Sequence, residues 1–266
     1  MDALWEKLQN PIRTAETAAE YRSMKKSERD AVKDKGGFFA GTLKGTRRKA
    51  TEVISRSMIT LDHDRLKPGC FDDFAFKHCA IVYTTHSHTP EAPRARILVP
   101  LTRDVTPDEY NAIARYLADE IGMDTVDLCS FKINQLMYWP SSPQNGVFVF
   151  KEVEKEWLDP DAILSAHPEW TDPTRLPTSS RESKANQVTR QKVQDPLEKE
   201  GTVGIFNRVF FPVTRALEVF LSNIYEPTDN ENRWHLARSV SMAGVEIKED
   251  KFVYSRHAQD PAYLKL

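Results

Sequence analysis

Residues 58–64, Met-Ile-Thr-Leu-Asp-His-Asp, join an apolar run to two carboxylates set one residue apart. Side chains alternate between faces along a strand, so Asp62 and Asp64 share one face and His63 takes the other. Two ionised carboxylates on one face repel and raise each other's pKa, and a divalent cation between them relieves that repulsion. The segment therefore predicts a strand that delivers a hard-cation site at its end. Magnesium-assisted phosphoryl chemistry is the reading that follows.

The neighbouring sequence predicts the sheet around that strand. Cys79 to Thr85 reads as a second strand and Ala95 to Leu101 as a third, with Pro90 and Pro93 between them and a continuous apolar run at Ile97, Leu98 and Val99. Thr106-Pro107-Asp108-Glu109 predicts a helix start, and Tyr110, Ile113, Ala114, Leu117 and Ile121 then fall on one core-facing side. Further strands are expected over Gln135–Trp139 and Gly146–Lys151. Residues 2–33 read as polar helix ending before Gly36-Gly37. This order implies an α+β fold in which an antiparallel or mixed sheet is backed by helices.

Between Thr171 and Glu200 the chain turns to Pro, Ser, Thr, Lys, Arg and Gln, the composition of a linker or mobile arm. The expected organisation is a catalytic domain over 1–170, a linker over 171–200 and a small C-terminal α/β accessory domain over 201–266. Within the last part, Val203 to Leu221 is apolar and broken at Pro212, and Trp234–Leu236 and Val245–Tyr254 are strand-like. A formal net charge of −2 over 266 residues argues against a wholly basic surface but allows a local basic groove. Three cysteines without a Cys-x-x-Cys pair point to a reducing, cytoplasmic setting. No apolar run approaches membrane-spanning length and the N-terminus has no signal-peptide core, so a soluble intracellular protein is expected.

Candidate chemistry gathers around the acidic pair. Asp127, in Val-Asp-Leu-Cys-Ser, is a third carboxylate, and Asp62, Asp64 and Asp127 together suit a two-metal site with magnesium or manganese. Taken singly, each has a bland reading as a turn or a cap. His86 and His88, with Arg94 and Arg96 beside them, would contact the phosphates or sugar of an incoming nucleotide. Lys44, Arg47 and Arg48, before the acidic strand, form a cationic patch that suits nucleic-acid phosphates or ordinary solvation. His63, His78 and Cys79 lack the paired spacing of a zinc site.

Asp62-His63-Asp64 after an apolar strand, Thr84-Thr85-His86 on the next, and the later single Asp127 resemble the three motifs of the archaeo-eukaryotic primase superfamily, the primase-polymerases. More narrowly, the stretch from Thr85 to Leu101 and Leu136-Met137-Tyr138-Trp139-Pro140-Ser141 resemble the N-terminal primase region of phage and prophage primase-helicases, a likeness running from about Gly36 onward. Gln194 to Pro261 is similar to what precedes the helicase in those chains. The resemblance implies a primase-polymerase core with a sheet like that of RNA-recognition domains. It implies Asp62, Asp64 and Asp127 as metal ligands, His86 as the nucleotide-binding histidine, and single-stranded DNA, nucleoside triphosphates and a replicative helicase as partners. Three departures stand out. Thr84 replaces the usual Ser of the second motif, leaving His88 as an alternative to His86. Gln135 stands where an Arg is expected, and no Gly-x-x-x-x-Gly-Lys-Ser/Thr follows.

Two other readings stay open on the sequence. His86-Ser87-His88 resembles the paired histidines of rolling-circle initiators and relaxases, with Tyr110 or Tyr116 as a tyrosine nucleophile. A non-catalytic nucleic-acid-binding module of a replisome would instead use the basic arm of Arg181, Lys184, Arg190 and Lys192 on single strands.

Overall fold

The computed structural model describes residues 2–71, 76–173, 175–182, 195–260 and 262–263. Five antiparallel strands form the central sheet, in the spatial order Gly41–Leu43, Val53–His63, Ala95–Val105, Ala80–Thr84 and Phe150–Val153. The two long strands lie side by side, pairing Met58 with Pro100 through to His63 with Ala95. Alternation then sorts their side chains. Ile59, Leu61, Ile97, Val99 and Val82 join one apolar cluster, and Met58, Leu98, Ile81 and Tyr83 join another on the opposite face. Burial on both faces is why the strand sequence at Ile97–Val99 reads as an unbroken apolar run despite antiparallel pairing.

One face is covered by the Pro107–Ile121 helix. Thr106 and Glu109 form a reciprocal capping box, Pro107 opens the first turn, and Gly122, at φ 130°, closes the helix in a conformation that favours glycine. Tyr110, Ile113, Ala114 and Leu117 are buried against the sheet as the periodicity predicts. Full burial of a side chain such as Ile113 contributes about 1.5–3 kcal/mol.

The other face is covered by the N-terminal region, which differs from the single polar helix expected there. Three short helices, Asp2–Gln9, Ala18–Ser23 and Lys26–Lys33, replace it, and between the first two runs a two-residue strand, Ile12–Arg13, that pairs in parallel with Ser141–Ser142. Pro11 disfavours helix at Asn10, and Thr17 restarts the helix through its own capping box with Glu20. Leu8 is fully buried in the second cluster, and Trp5 Nε1 donates to Glu152 at 2.7 Å. The strand expected over Gln135–Trp139 shortens to Met137–Tyr138, paired with Gly37–Phe38, and the one expected at Gly146 begins at Phe150. Pro140 and Pro143 lack the amide donor a ladder needs, and Gly146 N–H instead closes a turn onto Pro143 O at 2.9 Å.

Within the segment expected as a linker, residues 175–182 pack on the first part. Leu176 joins its core, and Ser179 and Ser180 both donate to Asp124. The C-terminal part has a four-stranded antiparallel sheet, Tyr225–Pro227, Arg233–Leu236, Val245–Lys248 and Phe252–Ser255, beside the helices Gly201–Val209 and Thr214–Phe220. Its own core contains Leu217, Trp234 and Val245. It meets the first part where Ala258 enters the main core and Gln259 donates to Val53 O at 2.8 Å. Among the described residues no helix is long and apolar enough to cross a membrane.

Candidate active site

The acidic strand ends against a segment distant in sequence. His63 and Val126 form an antiparallel bridge, Asp127 N–H donates to Asp62 O at 2.7 Å, and Asp64 N–H donates to Thr125 O at 3.0 Å. Residues opposite each other across an antiparallel pair share a face, so this pairing sets Asp127 beside Asp62. The turn at Gly122 and the short helical turn Met123–Thr125 lay the segment there. Asp127 is also a cap: its Oδ1 accepts Cys129 N–H at 2.8 Å at the start of the Leu128–Phe131 turn. Ser130 Oγ in turn accepts Asp62 N–H at 2.9 Å. The cap role read for Asp127 is therefore present in the structure, and the same side chain also lines the cleft.

Asp62, Asp64 and Asp127 line one cleft of about 220 Å³ together with His86, Arg94, Arg96 and Gln135. Arg96 Nε lies 3.2 Å from Asp62 Oδ2, and Arg94 Nη1 lies 3.2 Å from Asp64 Oδ1. Burial is the largest influence on Asp62 and pushes its carboxyl above the ordinary range. Arg96 pulls it down, and Asp64 and Asp127 push it up again. Arg96 is itself only partly exposed, and although desolvation works against its charge, Asp62 holds it above its ordinary value. The carboxylate is the partner left under-compensated, because Asp62 Oδ1 is buried with no hydrogen-bond partner. A buried acceptor with spare lone pairs beside two further carboxylates is an all-oxygen donor set of the kind hard cations take. Among the described residues, no three His, Cys, Asp or Glu side chains stand close enough to hold an ion as they are placed. The arginines, which engage two of the three aspartates, are the groups an ion would compete with.

The structure separates the two histidines. His86 lines the acidic cleft, with Nε2 2.9 Å from Glu16 Oε1 and Nδ1 2.9 Å from Ser141 Oγ. Burial pushes its pKa down, against the opposing pull of Glu16. A neutral ring fits this network, donating from Nε2 to Glu16 and accepting the Ser141 hydroxyl at Nδ1. His88 lies outside the cleft, accepting Arg94 N–H at 3.3 Å and packing edge-on against Phe71.

Other residues singled out in the sequence lie elsewhere. Lys44, Arg47 and Arg48 are on the exposed loop before the Val53–His63 strand and do not line the cleft, and Arg48 donates to Asn134 O. Tyr110 is fully buried with its hydroxyl bonded to Thr60 and Ser130, and Tyr116 stacks on His167 at 3.9 Å, so neither reaches the histidines as a nucleophile. His63 sits on the far face, bonded to Thr125, with burial holding its pKa at about 3. Arg181 donates to Val126 O, while Lys184, Arg190 and Lys192 lie outside the described residues. Three contributors escaped the sequence reading. Lys33 lines the cleft from a helix read as solvated, and Glu16 and Ser141 hold His86.

Taken together, fold and cleft define an α+β protein whose antiparallel sheet carries an aspartate trio, paired arginines and an oriented histidine to one mouth. Residues 1–179 match the family model described as the VapE N-terminal domain, and the chain belongs to that family, a phage and prophage primase-associated domain. Every residue of the cleft falls within the matched region. The family connects the chain with replication of phages or plasmids. No curated protein and no solved structure gives a significant match.

Proposed function

We propose that the chain is a nucleotidyltransferase of the primase-polymerase type, making or extending primers from nucleoside triphosphates on single-stranded DNA. The observation that carries this reading is the pairing of residues 62–64 with 125–127, which gathers Asp62, Asp64 and Asp127 at one cleft and leaves Asp62 Oδ1 buried and unpartnered. Magnesium or manganese held by these three carboxylates would supply activation of the attacking 3′-hydroxyl and stabilisation of the pyrophosphate. The chain's own residues do the rest. Arg94 and Arg96 would bind triphosphate oxygens through charge-assisted hydrogen bonds. His86, fixed by Glu16 and Ser141, positions the nucleotide. Trp139 and Tyr138 add aromatic surface to the wall of the cleft.

In this reading the protein works in the cytoplasm of a bacterial host on behalf of a phage or mobile element, beside a replicative helicase. The covalent tyrosine mechanism is disfavoured, because Tyr110 and Tyr116 are packed away from His86 and His88.

The test is incorporation of labelled nucleotide on single-stranded DNA with magnesium or manganese, with and without a primer. Its controls are Asp62→Asn, Asp64→Asn and Asp127→Asn. Asparagine is chosen over alanine because it keeps an acceptor oxygen for Arg96 Nε, so that loss of the charge is separated from loss of the hydrogen bond. Metal-dependent product that falls at least about 100-fold in each variant is the expected result. Product from the wild type that survives all three substitutions would overturn the site. Absence of product with DNA binding retained would favour a non-catalytic replisome module.

A further inference from the structure

A second cavity, of about 270 Å³, adjoins the acidic cleft and lies between the two short helices Ala18–Ser23 and Lys26–Lys33 and the loop from His86 to Arg94. Its character is the reverse of its neighbour's. Arg22, Arg29, Arg94, His88, Ser87 and Thr89 contribute to its wall, and no carboxylate does. Arg29 Nε is buried with no hydrogen-bond partner, and among the described residues neither Arg22 nor Arg29 makes a salt bridge. Burial keeps His88 below its ordinary pKa, and its Nδ1 accepts the Arg94 amide, leaving Nε2 as the donor.

An open concavity with an exposed Arg22, a partly buried Arg29, hydroxyls and an imidazole donor, but no acid in its wall, is complementary to an oxyanion. A buried guanidinium nitrogen without an acceptor is a donor waiting for one. His86, Ser87 and Arg94 line both cavities, so the two lie side by side with these residues at their border.

We propose that this basic cavity is a phosphate subsite, taking the phosphate next to the one handled in the acidic cleft. That phosphate belongs either to the backbone of a DNA strand or to the polyphosphate of a nucleotide. The pairing of the two cavities rests on the nucleotidyltransferase reading of the cleft; phosphate binding by the cavity does not.

The experiment compares the full chain with R22A/R29A and R22K/R29K. Binding of a fluorescein-labelled oligo-dT is followed by anisotropy at several salt concentrations, and binding of ATP by calorimetry. Circular dichroism confirms that the folds match. The expected result is a loss of about tenfold in affinity for one of the two ligands in R22A/R29A, largely restored in R22K/R29K. If the strand is the source, the salt dependence of oligo-dT binding also becomes shallower by about 0.7 in log–log slope, the contribution of one single-strand phosphate contact. Loss confined to ATP assigns the subsite to the polyphosphate. Unchanged affinity for both ligands in R22A/R29A, or no binding of either by the wild type, overturns the proposal. The two readings fail separately. Arginine-dependent binding without nucleotide incorporation sinks the activity and keeps the subsite, whereas incorporation with undiminished binding in R22A/R29A does the opposite.

Discussion

His86 illustrates how much of this site rests on single buried groups. Its two ring nitrogens are taken by Glu16 and Ser141, and burial lowers its pKa below 6.5. The unfolded chain therefore binds a proton between pH 6.5 and the lower value in the fold, while the folded chain does not. Stability is present above 6.5 and is lost as pH falls through that window. Denaturant titrations of wild type and His86→Gln at pH 7.5 and pH 5.5 isolate this group, because His63, His78 and His88 titrate in both proteins. The variant should lose less stability on acidification. Parallel losses would mean that the imidazole is charged in the fold, with Glu16 prevailing over burial.

At the scale of elements, the Pro107–Ile121 helix positions the acidic strand through one hydroxyl. Tyr110 Oη lies 3.1 Å from Thr60 Oγ1 and 3.1 Å from Ser130 O, joining the helix, the strand and the turn whose Ser130 accepts the Asp62 amide. Tyr110→Phe strips those buried groups of their partner and should cost about 2 kcal/mol, seen as a fall in Tm of roughly 4–8 °C. Nucleotide incorporation at 25 °C should persist, since the phenol is not a nucleophile here. A folded Tyr110→Phe protein with no incorporation would mean instead that this hydroxyl is needed to hold the end of the acidic strand in place. This helix was readable in the sequence because its signals are local: Thr106, Pro107 and Glu109 mark the start, and apolar residues recur on one side. The N-terminal region was misread for the opposite reason. Pro11 and the Thr17–Glu20 capping box do mark the break locally, but the short strand between the first two helices is set by pairing with Ser141–Ser142, and their docking by burial of Leu8, both tertiary effects. Asp62 and Asp64 could be placed from strand alternation alone. Asp127 could not, because its position depends on the bridge between His63 and Val126, and only the likeness of its motif to the primase-polymerases pointed to it. Lys33 was invisible because a lysine on a charged helix carries the same sequence signal whether it faces solvent or a cleft.

For the whole molecule, Arg115 is the joint that ties distant parts of the chain together. From the inner side of the same helix it bonds Glu182 at 2.7 Å and Pro177 O at 2.8 Å, and its guanidinium lies 4.3 Å from the centre of the Phe131 ring. Tyr263, near the C-terminal end, reaches Asn111 and Phe131 O at 3.3 Å beside it. Arg115 and Glu182 are both almost fully buried, so the pair is costly to desolvate and costlier to break. Glu182→Ala should therefore destabilise the protein by about 3–5 kcal/mol, whereas Arg115→Met with Glu182→Leu should cost less than Glu182→Ala alone, because no charge is left buried. Scanning calorimetry distinguishes two outcomes. If Arg115 couples the regions, wild type melts in one transition and Glu182→Ala shifts or splits it, with the C-terminal sheet, which has its own core around Trp234 and Val245, melting apart from the rest. If Glu182→Ala melts at the wild-type temperature, the segment at 175–182 does not brace the domain. The expected linker would then behave as one despite its packing.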